Sequence, residues 1–474
     1  MKKRIKKTSL IALFWLLAWQ AIAMTINSPL LLPGPLDTAR ALFDMLADGG
    51  FYMDALATIG RCLAAMILAL VLGAVLSVAA YRWQVLRDIL SLPVALFKTI
   101  PIMAVAIYMI LLMSAGSVPV LVCWIMCFPI VYTNMLAGLD AMDGKLLEMA
   151  RVYGIGGFKL IRYLYLPMLY PHFRSAMSLV AGMSWKAIVT AEVLSIPRLS
   201  LGYELMNAKY YLNTDILFAY VVVLIVISIL FERLIKRLVA MLEPHSYEYS
   251  KIMKTDVHTD NMKFSDASKE LCNGTEPLTV QLVNVRKSYG EKRVLEDLNM
   301  QLEPGTITAL MGASGSGKTT IARLIAGLEQ PDEGSIRINC SDAQSGNSDS
   351  HKISYLFQED RLLPWLNVYD NLAIVRADEI AIYRMLEAVG LDEEAWKLPG
   401  ELSGGMSYRV AMARAFLIDS GLLIADEPFR GLDATTRNTV LKKLWIPGTM
   451  NRTVLLITHS EEDKKLAEQV VTIE

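Results

Sequence analysis

The residues best suited to chemistry lie in a glycine-rich segment of the C-terminal half. Gly312–Thr319 reads G-x-x-x-x-G-K-T and lies between the apolar run Thr306–Met311 and the helical pattern Ile321–Leu328. This is the context of a phosphate-binding loop, because glycines let backbone N–H groups turn towards phosphates and the following helix adds positive potential at its N-terminus. We therefore expect this half of the chain to bind a nucleoside triphosphate.

Two side chains of this loop can act directly on a bound triphosphate. Lys318 can neutralise charge on the β- and γ-phosphates, and the Thr319 hydroxyl can ligate Mg²⁺. The residues expected to surround the phosphates and their magnesium ion are Gly312, Ser314, Gly315, Ser316, Gly317, Lys318, Thr319 and Thr320.

A pair of acids ends a second apolar run. Leu422–Asp426 reads as a buried strand, and Glu427 follows it directly. Asp426 is suited to hold Mg²⁺ through water, and Glu427 is suited to polarise the water that attacks the γ-phosphate. Together with the glycine-rich loop, these acids predict hydrolysis of the bound nucleotide.

Leu402–Met406, between the loop and the acids, resembles the signature motif of the ABC ATPase family, with Met406 in place of the usual glutamine. The resemblance covers about residues 278–474 and implies an α/β P-loop NTPase domain of ABC type that binds ATP and Mg²⁺. It further implies roles for Tyr289 (adenine stacking), Gln358 (the Q-loop, catalysis and Mg²⁺), Ser403, Gly404 and Gly405 (the signature), Asp433 (the D-loop) and His459 (the γ-phosphate switch).

The composition of the 474 residues separates two unlike halves. Hydrophobic residues make up 54% and charged residues 20%, an average over an apolar N-terminal part and a more polar C-terminal part. Residues 1–245 carry a net charge of +8 and residues 246–474 a net charge of −9. An acidic C-terminal half argues against nucleic-acid binding. The five cysteines show no paired spacing, which argues against a disulfide scaffold or a zinc module.

The N-terminal half predicts an all-α polytopic membrane domain. Its apolar segments are long enough to span a bilayer, at about 9–26, 58–80, 89–113, 117–138, 168–195 and 216–240. With the N-terminus in the cytoplasm, inner segments carry 14 Lys and Arg residues and outer segments only three, which favours a cytoplasmic N-terminus and ATPase. A cleaved signal peptide is the alternative interpretation of the first segment and leaves the same cytoplasmic C-terminus.

The membrane half carries a second family marker. Residues 148–171 resemble the EAA loop of bacterial ABC importer permeases, with Met149 and Ile155 departing from its pattern. The segment at about 144–171 is too charged to span at its start, so we expect a cytoplasmic element that contacts the ATPase near Gln358. Glu148, Ala150 and Gly154 are its predicted coupling residues.

These resemblances give the predicted organisation: a permease domain at 1–245, a linker at 246–276 and an ABC ATP-binding domain at 277–474. Leu32–Pro35 and Phe357–Trp365 are similar to segments of nitrate, sulfonate and taurine importers, a subgroup that also includes importers of vitamin precursors. The resemblance implies a plasma-membrane homodimer supplied by a separate extracytoplasmic binding protein. The alternatives are an ABC exporter half-transporter and a non-transporting membrane ATPase.

The fifth span combines small, polar and ionisable residues on one helical face. Such a face indicates either close helix packing or a water-filled path. The ionisable groups favour the path, because burying charge against lipid costs about 2.5–3.5 kcal/mol each on insertion scales. The pathway candidates are Ser178, Gly182, Lys186 and Glu192.

Overall fold

The computed structural model describes residues 2–26, 28, 30–243, 276–340 and 353–473. Its contacts divide the chain into two units. One comprises Met1–Met142 and Met168–Glu243, and the other comprises Asp143–Pro167 and Pro244–Glu474. The predicted linker at 246–276 lies, apart from its last residue, outside the described residues.

The N-terminal half of the chain is helical. Its helices are α1 (Lys2–Ile26), α2 (Pro35–Ala47), α3 (Gly49–Arg82), α4 (Gln84–Thr99), α5 (Ile102–Leu112), α6 (Val118–Asp140), α7 (Gly144–Val152), α8 (Gly157–Leu160), α9 (Leu166–Ser195), α10 (Leu201–Tyr210) and α11 (Thr214–Met241). A π-helical stretch, Ile161–Tyr165, joins α8 to α9. Helices α7 and α8 belong to the second unit.

The described helices bear out an all-α membrane domain of about six spans. Four are long and apolar enough to cross a bilayer, at Gly49–Arg82, Val118–Asp140, Gly157–Ser195 and Thr214–Met241, and the shorter apolar helix Leu13–Ile26 coincides with the first predicted span. The third predicted span is two helices bent by 106°. The bend follows from Pro101, which has no N–H to donate and disfavours helical geometry at Ile100, and Ile100 is extended (φ −65°, ψ 128°).

Close packing of α3 against α6 helps to form the core of the first unit. A Cβ at Gly73 would come within 2.7 Å of Val131 Cγ1, so only glycine lets the two helices approach this closely. Cys62, Cys123 and Cys127 are buried in this core as free thiols.

The second unit contains the α/β domain expected from the sequence. Its described strands are β1 (Leu278–Tyr289), β2 (Lys292–Leu302), β3 (Ile307–Gly312), β4 (Glu333–Cys340), β5 (Ile353–Leu356), β6 (Leu422–Asp426), β7 (Thr453–Ile457) and β8 (Gln469–Ile473). Its described α-helices after residue 276 are α12 (Lys318–Ile325), α13 (Val368–Ala373), α14 (Glu379–Ala388), α15 (Gly404–Leu417), α16 (Ala434–Val440), α17 (Ile446–Thr449) and α18 (Glu461–Lys464).

The strands form an antiparallel sheet in the order β2-β1-β4 and a sheet in the order β5-β6-β7-β3-β8, whose paired neighbours are parallel. In the register of β6 and β7, Asp426 lies opposite Ile457. Because the carboxyl ends of parallel strands meet at one edge of a sheet, the loops after β3, β5, β6 and β7 converge there. This edge brings together residues that are far apart in sequence.

The segment Asp143–Pro167 packs into the core of this second unit. Asp143 caps α7 by accepting a hydrogen bond from the Lys145 N–H at 2.8 Å. The buried residues that join the ATPase core are Leu146, Met149, Ala150, Tyr153, Ile155 and Leu164. Met149 and Ile155, the two departures from the EAA pattern, are therefore apolar contacts of the core.

Candidate functional site

The phosphate-binding loop requires glycine at several of its positions. Gly312, Gly315 and Gly317 have φ angles of 153°, 85° and 97°, which other residues rarely adopt. A Cβ at Gly312 would also lie 2.3 Å from the Ile473 carbonyl oxygen. The loop therefore holds a tight curl between β3 and α12, which begins at Lys318.

Two polar groups in this loop suit an anionic ligand. Lys318 is buried, and its Nζ donates to the carbonyl oxygens of Gly312 at 2.9 Å and Ala313 at 2.7 Å. The buried Ser316 Oγ has no hydrogen-bond partner among the described residues. A buried cation beside an unsatisfied hydroxyl fits a phosphate group.

Asp426 and Thr319 present hard oxygen atoms to the same site. The Thr319 hydroxyl donates to Asp426 Oδ2 at 3.3 Å. Burial, with a smaller contribution from the charge of Glu427, raises the pKa of Asp426 to about 6. A divalent cation would stabilise this carboxylate, and Mg²⁺ prefers such oxygen ligands together with phosphate oxygens. Asp426 and Thr319 thus fit Mg²⁺.

Glu427 lies at the centre of a polar cluster. Gln358 Nε2 and Arg430 Nη1 each donate to Glu427 Oε2 at 3.2 Å, and His459 Nε2 lies 3.6 Å from Oε1. The backbone of Glu427 has a φ of 53°, and its N–H donates to the Ile457 carbonyl. The left-handed backbone directs this side chain away from the strand path and into the cavity.

Most of the predicted nucleotide residues meet in one cavity of about 300 Å³. Its lining residues are Val294, Ser314, Gly315, Gly317, Lys318, Thr319, Thr320, Gln358, Asp426, Glu427, Ile457 and His459. Phosphate-binding, acidic and switch residues therefore share one space. The predicted nucleotide residues that are not among its lining residues are Tyr289, Gly312, Ser316, Ser403, Gly404, Gly405 and Asp433.

The signature and D-loop residues lie on exposed helix N-termini. Ser403 caps α15 by accepting from the Met406 N–H at 3.3 Å, and Asp433 caps α16 by accepting from the Thr436 N–H at 3.1 Å. Hydrogen bonds from Thr435 and Thr436 hold the pKa of Asp433 well below its usual value. Ser403 and Gly404 are exposed, so α15 presents a small polar N-terminus at the protein surface.

The predicted contact between the EAA-like segment and the ATPase is present beside Gln358. Lys145 Nζ lies 2.7 Å from Glu359 Oε1, next to the glutamine. Glu148 accepts from Arg323 Nη2 at 2.6 Å and from Arg361 Nη1 at 2.9 Å. The hydrogen bond from Arg323, supported by Arg361, lowers the pKa of Glu148 despite partial burial.

Further contacts of this segment were not predictable from motifs. The Tyr153 hydroxyl donates to the Tyr355 carbonyl at 2.9 Å, and Trp365 Nε1 donates to the Tyr163 carbonyl at 2.8 Å. For the arginine partners of Glu148, the sequence offers one sign, which is that Arg323 lies on α12 shortly after Lys318. Ala150 is buried in this interface, whereas Gly154 is exposed with a φ of 65°.

The four pathway candidates of the fifth span differ in exposure. Glu192 is fully buried within the first unit. It accepts from Arg61 Nη1 at 2.7 Å, from the Thr58 hydroxyl at 3.0 Å and from the Gly202 N–H at 3.3 Å. A buried carboxylate needs such partners; α3 supplies Arg61 and Thr58, and α10 supplies Gly202. Lys186 is exposed, and Ser178 and Gly182 are half-buried.

Comparisons with known proteins agree with both halves. A model of the ABC transporter family matches residues 295–430. A model of the binding-protein-dependent transport system inner membrane component matches residues 66–244.

Similar proteins match the ATPase half. The aliphatic sulfonates import ATP-binding protein SsuB 3 of Pseudomonas syringae pv. tomato is 40% identical over 204 residues, which are 42% of this chain and 73% of that protein. The sulfate/thiosulfate import ATP-binding protein CysA of Escherichia coli is 33% identical over 210 residues, 41% of this chain and 58% of that protein. A solved dimeric ATP-binding cassette in a post-hydrolysis state with ADP and Pi is 28% identical, covers 41% of this chain and 94% of its own, and has a TM-score of 0.37.

Proposed function

Since this chain belongs to the ABC transporter family, as an importer-type fusion of a permease domain and an ATP-hydrolysing domain, we propose that two copies of it import a small anion. The observation that supports transport driven by ATP hydrolysis is that Asp143–Pro167 packs into the core of the ATPase unit. Ion pairs to Arg323 and Arg361 fix Glu148 there, so a movement of the ATPase can be passed to the permease chain on either side of the segment.

The residues of the cavity are suited to different roles in hydrolysis. Lys318 and the loop N–H groups bind the phosphates, while Thr319, Asp426 and Gln358 would hold Mg²⁺, which would supply charge neutralisation. Glu427 accepts a proton from the attacking water, and His459 contacts the γ-phosphate. The contacts of Glu427 with Gln358 and His459 support this assignment, because all three can orient one water molecule.

A complete site needs a second chain in this proposal. Ser403, Gly404 and Gly405 offer a hydroxyl and N–H groups at the start of α15, which suits a γ-phosphate. They do not line the cavity of their own chain. We therefore infer a homodimer in which the signature of one chain closes over the phosphate loop of the other, with Asp433 at the same junction. A heteromer with a related fused chain is the alternative.

The substrate and topology are also proposals. Relatives of the ATPase half are named as importers of aliphatic sulfonates and of sulfate or thiosulfate, which favours a sulfonate or another small oxyanion. A vitamin precursor is the second substrate class. We propose an extracytoplasmic binding protein that delivers the solute, and an inner-membrane orientation with the N-terminus and ATPase in the cytoplasm.

Uptake in whole cells tests this function. A bacterial host that lacks its own sulfonate and sulfate uptake would express the chain together with a candidate binding protein, and accumulation of labelled ethanesulfonate and sulfate would be measured. We expect uptake with the natural chain and with Lys443→Ala, an exposed lysine outside the cavity, and no uptake with Lys318→Ala. ATP-dependent loss of a preloaded solute from the cells would instead support the exporter.

A further inference from the structure

A chain of polar contacts connects the expected adenine side of the nucleotide site with α7. Arg323 is its centre, because one guanidinium serves two acids. Its Nε donates to Glu329 Oε1 at 2.5 Å, and its Nη1 and Nη2 donate to the two oxygens of Glu148 at 3.0 and 2.6 Å. The side chains of Arg323, Glu329 and Glu148 are only 24%, 19% and 26% exposed.

The remaining oxygen of Glu329 extends the chain to Tyr289. Glu329 Oε2 accepts a hydrogen bond from the Tyr289 hydroxyl. Tyr289 ends β1, is about half exposed, and also interacts with the side chain of Thr320, which lines the cavity. The aromatic ring is thus available to a planar base, while its hydroxyl is tied to an acid that contacts Arg323.

The geometry of arginine makes this link directional. A guanidinium is a rigid plane that donates along fixed directions, so a shift of the acid on one edge reorients the groups on the other. Lysine could not transmit such a shift, because its ammonium rotates freely. Glu148 is held on its other side by Arg361, which stacks on Phe357 at 3.8 Å beside Gln358. Glu148 therefore accepts hydrogen bonds from two arginines, Arg323 and Arg361.

We propose that Glu329 is a positioning residue that couples adenine binding at Tyr289 to the docking of α7 through Arg323. The inference rests on the proposed function, since it takes Tyr289 as the residue that stacks on adenine. When a base stacks on Tyr289, the Tyr289 hydroxyl moves relative to Glu329. The Arg323 guanidinium then changes its hydrogen bonds to Glu148. Phosphate contacts alone do not engage this route, so the response of α7 depends on the base.

Hydrogen exchange on the full chain in lipid nanodiscs tests this relay, which runs from Tyr289 through Glu329 and Arg323 to Glu148. The exchange of amides 144–153 would be followed with no addition, with Mg²⁺ and the non-hydrolysable analogue AMP-PNP, and with Mg²⁺ and inorganic triphosphate. In the natural chain we expect AMP-PNP to change the exchange rate by about tenfold, the scale of one charge-assisted hydrogen bond. Triphosphate should leave it within about twofold.

Two variants interrupt the relay at different points. In Glu329→Gln the AMP-PNP response should fall below about twofold while the AMP-PNP dissociation constant stays within about threefold, because Glu329 does not line the cavity. Tyr289→Phe keeps the ring and removes only the hydroxyl, so it should also lose the response. The double variant should lose no more of the AMP-PNP response than either single variant loses. The matched control is Glu333→Gln, since Glu333 pairs with Arg286 outside this network.

The outcomes are distinguishable. Natural responses in Glu329→Gln and Tyr289→Phe would overturn the relay, as would a full response to triphosphate or no response of the natural chain to bound AMP-PNP. Absence of any AMP-PNP binding to the natural chain would instead contradict the proposed nucleotide site itself.

Discussion

Three side chains, Gln358, Arg430 and His459, surround the Glu427 carboxylate within 3.6 Å. The contacts from Gln358 and Arg430 both reach Oε2, which leaves Oε1 towards His459 and the cavity. A carboxylate fixed in this way is suited to orient one water molecule and to take its proton.

Glu427→Gln should bind ATP and lose most hydrolysis. The amide keeps the shape of the side chain and the contact with His459 but has little basicity, and removal of a general base costs about 10²–10⁴-fold in rate. Phosphate release and ATP affinity would be measured on the same purified chain. Glu461→Gln is the matched control, because Glu461 is exposed and lies outside the cavity. Turnover of Glu427→Gln close to that of the control would refute the assignment.

Several residues of the nucleotide cavity could be predicted because they lie at the end of a strand or shortly after it. Lys318, Asp426 and His459 come shortly after β3, at the end of β6 and after β7, so local spacing determines their place. The arginine partners of Glu192 and Glu148 could not be predicted. Arg61 lies 131 residues from Glu192, and Arg361 lies 213 residues from Glu148. No local periodicity links such pairs, because only the tertiary fold brings them together.

The turn after α7 depends on one glycine. Gly154 has a φ of 65°, and a Cβ there would meet nothing within 4 Å. The requirement is therefore in the backbone, where a left-handed conformation costs other residues about 1–2 kcal/mol. Gly156 is equally open but has a φ of −127°, which any residue adopts.

Gly154→Val should lower the solute taken up per ATP hydrolysed, whereas Gly156→Val should not. Valine strains the turn that positions Tyr153 and Ile155 in the ATPase core. Uptake and hydrolysis would be measured in the same proteoliposomes, and proteolysis would check that both units remain folded. Equal coupling ratios in the two variants would remove Gly154 from the coupling element.

The fifth span offers a second test at this scale. Lys186 is exposed, Gly182 and Val189 are half-buried, and Ile188 is fully buried within the described unit. Cysteines placed singly at 182, 186 and 189 should react with a water-soluble thiol reagent, because thiolates form where water reaches them. Cysteine at 188 is the buried control. Inert cysteines at all three positions in every nucleotide condition would favour helix packing over a path.

Element types follow well from the sequence, but two details do not. The apolar segments predict the spans, yet the 106° bend between α4 and α5 needs knowledge of how Pro101 is accommodated. The charge of residues 144–160 predicts a non-spanning element, whereas its inclusion in the ATPase core depends on Tyr153 contacting β5 and on Met149 packing in that core. Tertiary contacts decide both cases.

Each chain supplies one phosphate loop and one signature. In the proposed homodimer, two complete sites need two chains, and each site would combine residues of both. Lys318, Gln358, Ser403, Glu427 and His459 are all present in this chain, so identical copies can supply every group. We propose that hydrolysis occurs at such composite sites in a homodimer.

Mixed dimers test whether each hydrolytic site contains residues of both chains. Chains carrying Lys318→Ala or Ser403→Arg would be co-expressed with different affinity tags, and dimers that contain one of each would be isolated by both tags. One site of the mixed dimer combines the intact phosphate loop of the second chain with the intact signature of the first. We predict ATP hydrolysis well above that of either mutant homodimer. Hydrolysis no higher than that of the homodimers, in dimers shown to contain both chains, would contradict the composite site.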